Sequence, residues 1–199
     1  MDKIKLGFVP TRRSIFSAPD ALKYRGLTAD RLREIGVDIV DIDDINDEGL
    51  LFDDSHIEPI VKKIRAEGVD GIMLCHANFG TEYVCARLAR ELGLPVLLWG
   101  PRDERPEPDG TRLRDSQCGL FATGKVLRRF QVPFTYMTNC RLTDPEFERG
   151  VWDFLAVCNV VKTFKHTRIL QMATRPFDFW STMSNEGELL EKFNIQLSP

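Results

Sequence analysis

Short apolar runs alternate with helix-length amphipathic stretches along this chain, and the alternation is regular through its first five rounds. Ile4 to Val9 predicts a first strand, and Asp20 opens a helix whose apolar positions Ala21, Leu22, Tyr24, Leu27, Ala29, Leu32 and Ile35 recur at helical spacing until Gly36. Val37 to Ile42 predicts a second strand. Asp53-Asp54-Ser55 then supply capping groups for a helix from about His56 to Glu67, which Gly68 ends. Gly71 to Cys75 is a short, unbroken apolar run, the pattern of a strand covered on both faces. Thr81 to Leu92 predicts the next helix and Val96 to Trp99 the fourth strand. After the Pro- and charge-rich loop Pro101 to Arg114, Asp115-Ser116 cap a helix from about Gln117 to Phe130. Pro133 to Met137 reads as a fifth strand with Pro133 at its start.

The later part follows the same grammar less completely. Thr143-Asp-Pro-Glu146 is a strong helix start, and that helix runs to about Phe164. Arg168 to Met172 predicts a sixth strand, Ser184 to Phe193 a capped helix, and Ile195 to Leu197 a seventh strand. Successive β-α units require right-handed crossovers and therefore a parallel sheet. The economical architecture is a three-layer α/β sandwich of the flavodoxin-like (Rossmann-like) type, strand order 2-1-3-4-5, over residues 1–164, with residues 165–199 beginning a second α/β domain. On this expectation the chain stops in mid-pattern.

In such sheets ligands lie beyond the carboxyl ends of the strands, beside the switch point between strands 1 and 3. Arg12 and Arg13 follow strand 1, flanked by Thr11 and Ser14. Two guanidinium forks there suit a carboxylate, a phosphate or a polyol, although a solvated basic loop has the same composition. His76, Asn78 and Phe79 follow strand 3 at the mouth of a helix N-terminus; a lone His in that place is more often a structural hydrogen-bonder than a catalyst. Trp99 closes strand 4, either as a sugar-stacking surface or as the end of a buried strand. The acidic run Asp43, Asp44, Asp47 and Glu48 has no metal-loop spacing and reads as a solvated turn.

Composition narrows the classes. The chain has 199 residues, 27 Lys+Arg against 30 Asp+Glu, and a formal net charge of -3, which offers no general attraction for nucleic acid. No apolar stretch reaches membrane-spanning length and the opening residues carry no signal-peptide core, so a cytoplasmic protein without membrane contact is expected. Five cysteines without C-x-x-C spacing read as reduced core residues. The G-x-G-x-x-G and G-x-x-x-x-G-K-[ST] phosphate loops are missing, as is G-x-S-x-G. A receiver domain needs an Asp where Cys75 and His76 stand, and a flavodoxin phosphate loop needs the glycine that Thr11 to Ser14 lacks.

The segments GFVPTRRSIFS (7–17), HANFGTEYVCARLARELGLPVLLWGPRDE (76–104), DSQCGLFATGKVLRRFQVPFTY (115–136) and NEGELLEKFNI (185–195) resemble the N-terminal part of the L-fucose isomerase and L-arabinose isomerase superfamily, specifically its L-fucose isomerase-like bacterial members. The resemblance implies an aldose–ketose isomerase that moves hydrogen between C1 and C2 through a cis-enediol. A divalent metal, usually manganese, polarises the sugar oxygens while acidic residues shuttle the proton. It also implies a longer protein, with a second α/β domain and a C-terminal β-rich domain carrying the metal-binding Glu, Asp and His. This chain would then hold no metal or catalytic residue of its own. It would form part of a homo-oligomer in which the first domain lines a neighbouring subunit's sugar site. By position, Arg12 or Arg13 matches the family's basic loop after strand 1. His76 or Phe79 matches the loop where L-fucose isomerase packs a tryptophan on its sugar, and Trp99 aligns with no such contact. The alternative expectation is a standalone sugar- or metabolite-binding regulatory module using Arg12, Arg13, Asn78 and Trp99 in the strand-1/strand-3 crevice.

Overall fold

The computed structural model describes residues 3–198. Five parallel strands form one sheet: β1 (Lys5–Thr11), β2 (Asp38–Val40), β3 (Gly71–His76), β4 (Val96–Trp99) and β5 (Thr135–Tyr136), in the order β2-β1-β3-β4-β5. The expected winding is thus observed. Helices α1 (Ala18–Glu34), α2 (Ile57–Ala66), α3 (Glu82–Leu92), α4 (Ser116–Arg129) and α5 (Pro145–Phe164) connect and flank the strands.

The two-residue period of a strand explains why the central runs are apolar throughout. Leu6, Phe8, Met73, Cys75, Leu97 and Trp99 enter one core with Leu32 of α1 and Phe147, Val151 and Phe154 of α5. The alternate positions Val9, Ile72, Leu74, Val96 and Leu98 enter the other, with Ile60 and Ile64 of α2, Val84 and Leu88 of α3, and Leu120 and Leu127 of α4. Burial on both faces leaves no room for polar alternation.

Several boundaries differ from the sequence reading: β1 runs on past Val9 to Thr11, β2 keeps only Asp38–Val40 of the expected Val37 to Ile42, and three further differences have a local cause. A single 3-10 turn at Asp54–His56, capped by Asp53, precedes α2. The fifth strand shrinks from five residues to Thr135–Tyr136, because Pro133 donates no hydrogen bond and Gln131 turns the chain at φ 56°. Asp115 is not the cap of α4: it sits at φ 51° without a capping bond. Asp103, twelve residues upstream, instead accepts from the Ser116 and Gln117 backbone N–H groups at 2.9 and 3.2 Å.

The described residues fall into two units that divide between Cys158 and Asn159. Within the second, β6 (Arg168–Leu170) pairs in parallel with β7 (Gln196–Ser198), joined by α6 (Glu186–Phe193), and Phe164 meets Phe193 edge-on at 5.4 Å. Met172, Phe177 and Trp180 are exposed. Among the described residues no helix is long and apolar enough to cross a membrane.

Candidate functional site

At the carboxyl ends of β1 and β3 the two following loops are stitched together. The Thr11 hydroxyl donates to the Leu51 carbonyl (2.7 Å) and accepts from Thr81 N–H (3.2 Å), while the Thr81 hydroxyl donates to the Arg12 carbonyl (2.7 Å). Asn78 is fully buried. Its Oδ1 accepts from Arg13 N–H (2.8 Å) and Gly80 N–H (3.1 Å), and its Nδ2 donates to the Arg13 and Ser17 carbonyls, both at 3.3 Å. A buried amide with four partners is a loop clamp, with no hydrogen-bonding group left for a ligand.

The two arginines after β1 separate in role. Arg12 forms a two-pronged pair with Glu48, Nη2 to Oε1 at 2.7 Å and Nε to Oε2, and lies 3.9 Å over the Phe52 ring. Glu48 is therefore pinned by Arg12, not a solvated turn residue, and the Arg12 fork is already filled. Among the described residues no acid pairs with Arg13. Its guanidinium lies 5.1 Å from the Phe79 ring centre, and Phe79 stacks on Phe16 at 5.2 Å with ring planes 10° apart. Arg13, Phe79 and Phe16 are thus contiguous at the rim, and Ile15, next to Phe16 in sequence, is exposed.

His76 lies beneath that stack. It is fully buried, and the 2.7 Å bond from Nδ1 to the Phe79 carbonyl assigns the proton to Nδ1, leaving Nε2 without a partner. Burial pushes its pKa down to about 4. The ring fits because its neighbours lack side chains: a Cβ at Gly80, where φ is +76°, would stand 2.5 Å from Nδ1, and one at Gly119 of α4 would stand 3.0 Å from it. His76 thus sets the Phe79 turn from below and does not face solvent.

Trp99 requires a correction. Its ring is wholly buried and tilts against Phe147 at 4.7 Å between sheet and α5, so it presents no surface to a sugar. The strand-end position is right, but the strand parity aims the side chain into the core.

The sequence reading missed Arg114. It is wholly buried. Nε donates to Glu104 (2.9 Å), Nη2 to the Arg102 carbonyl (2.6 Å), and Nη1 to the Pro101 and Ala77 carbonyls (3.3 and 3.5 Å); the guanidinium lies 3.8 Å from the Tyr24 ring centre. The Tyr24 hydroxyl donates to Glu104. Burial, with that hydrogen bond, pushes the Tyr24 phenol up to about 12. Burial also pushes Glu104 upward, but the bonds from Tyr24 and Arg114 outweigh it and hold the carboxyl below its ordinary value. With Ser17 N–H donating to the Leu113 carbonyl at 2.9 Å, this network ties the β4–α4 loop to α1 and to the end of β3. No local signal marks such an arginine, since its partners come from three elements.

Among the described residues no group of three or more His, Cys, Asp or Glu side chains is arranged to hold a metal ion. Among the described residues the site is therefore a rim of a guanidinium without an acid partner and two stacked rings, over a crevice filled by the chain's own bonds.

These features define a three-layer α/β protein whose parallel sheet is wound 2-1-3-4-5 and whose polar groups gather at the strands' carboxyl ends. The family described as "Fucose/sulfoquinovose isomerase, N-terminal domain" matches residues 7–165, most of the chain, and the protein belongs to that family. No curated protein sequence matches it. Among solved structures, the glycosyltransferase SnogD from Streptomyces nogalater is similar at 13% identity and TM-score 0.32, covering 74% of this chain and 49% of its own. An ABC transporter solute-binding protein from Bacillus halodurans C-125 with bound myo-inositol gives 8% identity and TM-score 0.32 over 70% of this chain and 57% of its own. A periplasmic sugar-binding protein from Legionella pneumophila gives 12% identity and TM-score 0.29 over 84% and 70%. The matched part thus spans about half the length of SnogD. The fold assignment rests on the strand order, not on these likenesses.

Proposed function

We propose that this chain is the N-terminal part of a metal-dependent aldose–ketose isomerase of the L-fucose/L-arabinose type, supplying sugar contacts and oligomer contacts. Membership of the isomerase family over residues 7–165 carries the reading. The Arg13–Phe79–Phe16 rim supplies its local chemistry: a guanidinium donates to sugar hydroxyls, and ring faces cover the apolar C–H side of a sugar while excluding water. Arg12, Asn78 and His76 shape this rim from behind. The described residues do not form a donor set for the Mn2+ or similar divalent ion the family resemblance implies, so no proton-transfer step is assigned to them. Residues outside this chain, on the same polypeptide or on a neighbouring subunit of a homo-oligomer, would hold it. Unpaired thiols in the core support a reducing, cytoplasmic setting. The standalone-module reading gains nothing from the structure, because the β1/β3 crevice is closed by Asn78 and Thr81.

The test compares purified residues 1–199 with the gene's whole product in an Mn2+-supplemented isomerisation assay over a panel of aldoses. The short chain is expected to be inactive. In the whole product, Arg13→Ala and Phe79→Ala are expected to raise KM about tenfold or more while changing kcat less. Turnover by residues 1–199 alone would overturn the division of labour, and an unchanged KM in both variants would overturn the rim assignment.

A further inference from the structure

The sheet ends at β5, whose two residues pair with Leu97 and Leu98 of β4, and among the described residues nothing pairs with its outer edge. Beside that edge runs a groove of about 410 Å³. Phe134 and Tyr136, two residues apart and so on one face of the sheet, form its wall. Phe121, Lys125 and Arg128, spaced i, i+4, i+7 on α4, form its roof. Gly124 lies between roof and wall, where a Cβ would come into ordinary contact with the Phe134 ring at 3.4 Å. Phe121 is 63% exposed and Tyr136 44%.

The rim chemistry selects the occupant. Lys125 and Arg128 flank the aromatic surface, and no carboxylate lines the groove or pairs with either cation among the described residues. In a net-acidic chain that is a local concentration of uncompensated positive charge. Self-pairing of two β5 edges about a two-fold axis normal to the sheet would set the two α4 helices side by side, cation against cation. We infer that the β5 edge with the α4 groove is a docking site for an extended, acidic peptide segment of a partner protein, which adds as a sixth strand. Its backbone pairs with Thr135–Tyr136, alternate apolar side chains enter between Phe121 and Tyr136, and carboxylates meet Lys125 and Arg128. Edge pairing contributes affinity, while the cations discriminate against basic or neutral strands.

The test uses the whole chain and a fluorescein-labelled peptide with Val and Phe at alternate central positions and glutamates at both ends, with a lysine-ended peptide as control. Fluorescence anisotropy is expected to show saturable binding of the acidic peptide, weakened by added salt and lowered about tenfold or more by Phe121→Glu and by Lys125→Glu/Arg128→Glu. Both variants change exposed side chains, and matching far-UV circular dichroism and melting curves verify their fold. The charge-reversed double variant is expected to prefer the lysine-ended peptide. Absence of saturable binding, or equal binding of both peptides to the wild type, would overturn the inference. A wild-type dimer in sedimentation that Phe121→Glu dissolves would also overturn it, by assigning the edge to a second copy.

Discussion

The guanidinium of Arg114 lies 3.8 Å from the centre of the Tyr24 ring, and the Tyr24 hydroxyl and Arg114 Nε share one acceptor, Glu104. Helix α1 and the β4–α4 loop are thereby joined at one buried charge, and the bond to the Ala77 carbonyl brings in the end of β3. Removing the guanidinium takes a donor from the Ala77 and Arg102 carbonyls and leaves Glu104 without its cation, while the Pro101 carbonyl keeps the Ser116 hydroxyl. Arg114→Leu is therefore expected to lower stability by about 3 kcal/mol in urea unfolding. Tyr24→Phe, which keeps the ring and deletes only the hydroxyl, is expected to cost about 1 kcal/mol. Equal losses in the two variants would contradict the central place given to Arg114.

The pairing of Trp99 with Phe147 makes a separate prediction about the core. Phe147 is wholly buried and its ring centre is 4.7 Å from that of Trp99. Phe147→Ala opens a cavity beside the indole and is expected to cost about 3–5 kcal/mol. Trp152 and Trp180 are exposed, so acrylamide should quench them in the native state while a buried component persists. In Phe147→Ala that protected component should shrink.

The layers and winding were legible because they depend on periodicity. Val9, Ile72, Leu74 and Leu98 read as strand residues wherever the sheet is covered on both sides, and glycine and capping residues punctuate the helices. The site was legible only as a place. Arg13 and Phe79 do follow β1 and β3 as expected, but side-chain direction turns on one-residue parity, so Trp99 fell into the core and His76 beneath the rim. Arg12 and Asn78 were found as polar groups, yet their satisfaction by Glu48, Arg13, Ser17 and Gly80 is a tertiary property. The cap of α4 failed for the same reason: Asp115 has the right chemistry next to the helix, and Asp103 has the right geometry from far away.

The cysteines should separate cleanly by reactivity. Cys118 is exposed, whereas Cys75, Cys85, Cys140 and Cys158 are buried. Burial pushes the Cys75, Cys85 and Cys158 thiols up to about 12 and raises Cys140 as well. A thiol-disulfide dye at neutral pH is expected to label one cysteine rapidly in the native protein and the other four only on unfolding, with Cys118→Ser abolishing the fast phase. Fast labelling of a second thiol would show that one core opens locally.

His76 gives stability a pH dependence whose sign follows from its neutral burial. Its folded pKa is down at about 4, against about 6.5 for an unperturbed histidine. Between these values the unfolded chain binds a proton that the folded chain refuses, so the unfolded state gains as pH falls. The stability that neutral His76 retains above about pH 6.5 is lost progressively down to about pH 4, by about 3 kcal/mol across the window. His56 and His166 are both less buried than His76. Urea unfolding at a series of pH values should show this slope in the wild type. His76→Gln removes the titrating ring and should flatten the slope between pH 4.5 and 6.5, whatever it costs in stability at neutral pH. A wild-type curve that is flat through this range, or a variant that keeps the full slope, would mean that the imidazole reaches solvent and is not held as the buried donor to the Phe79 carbonyl.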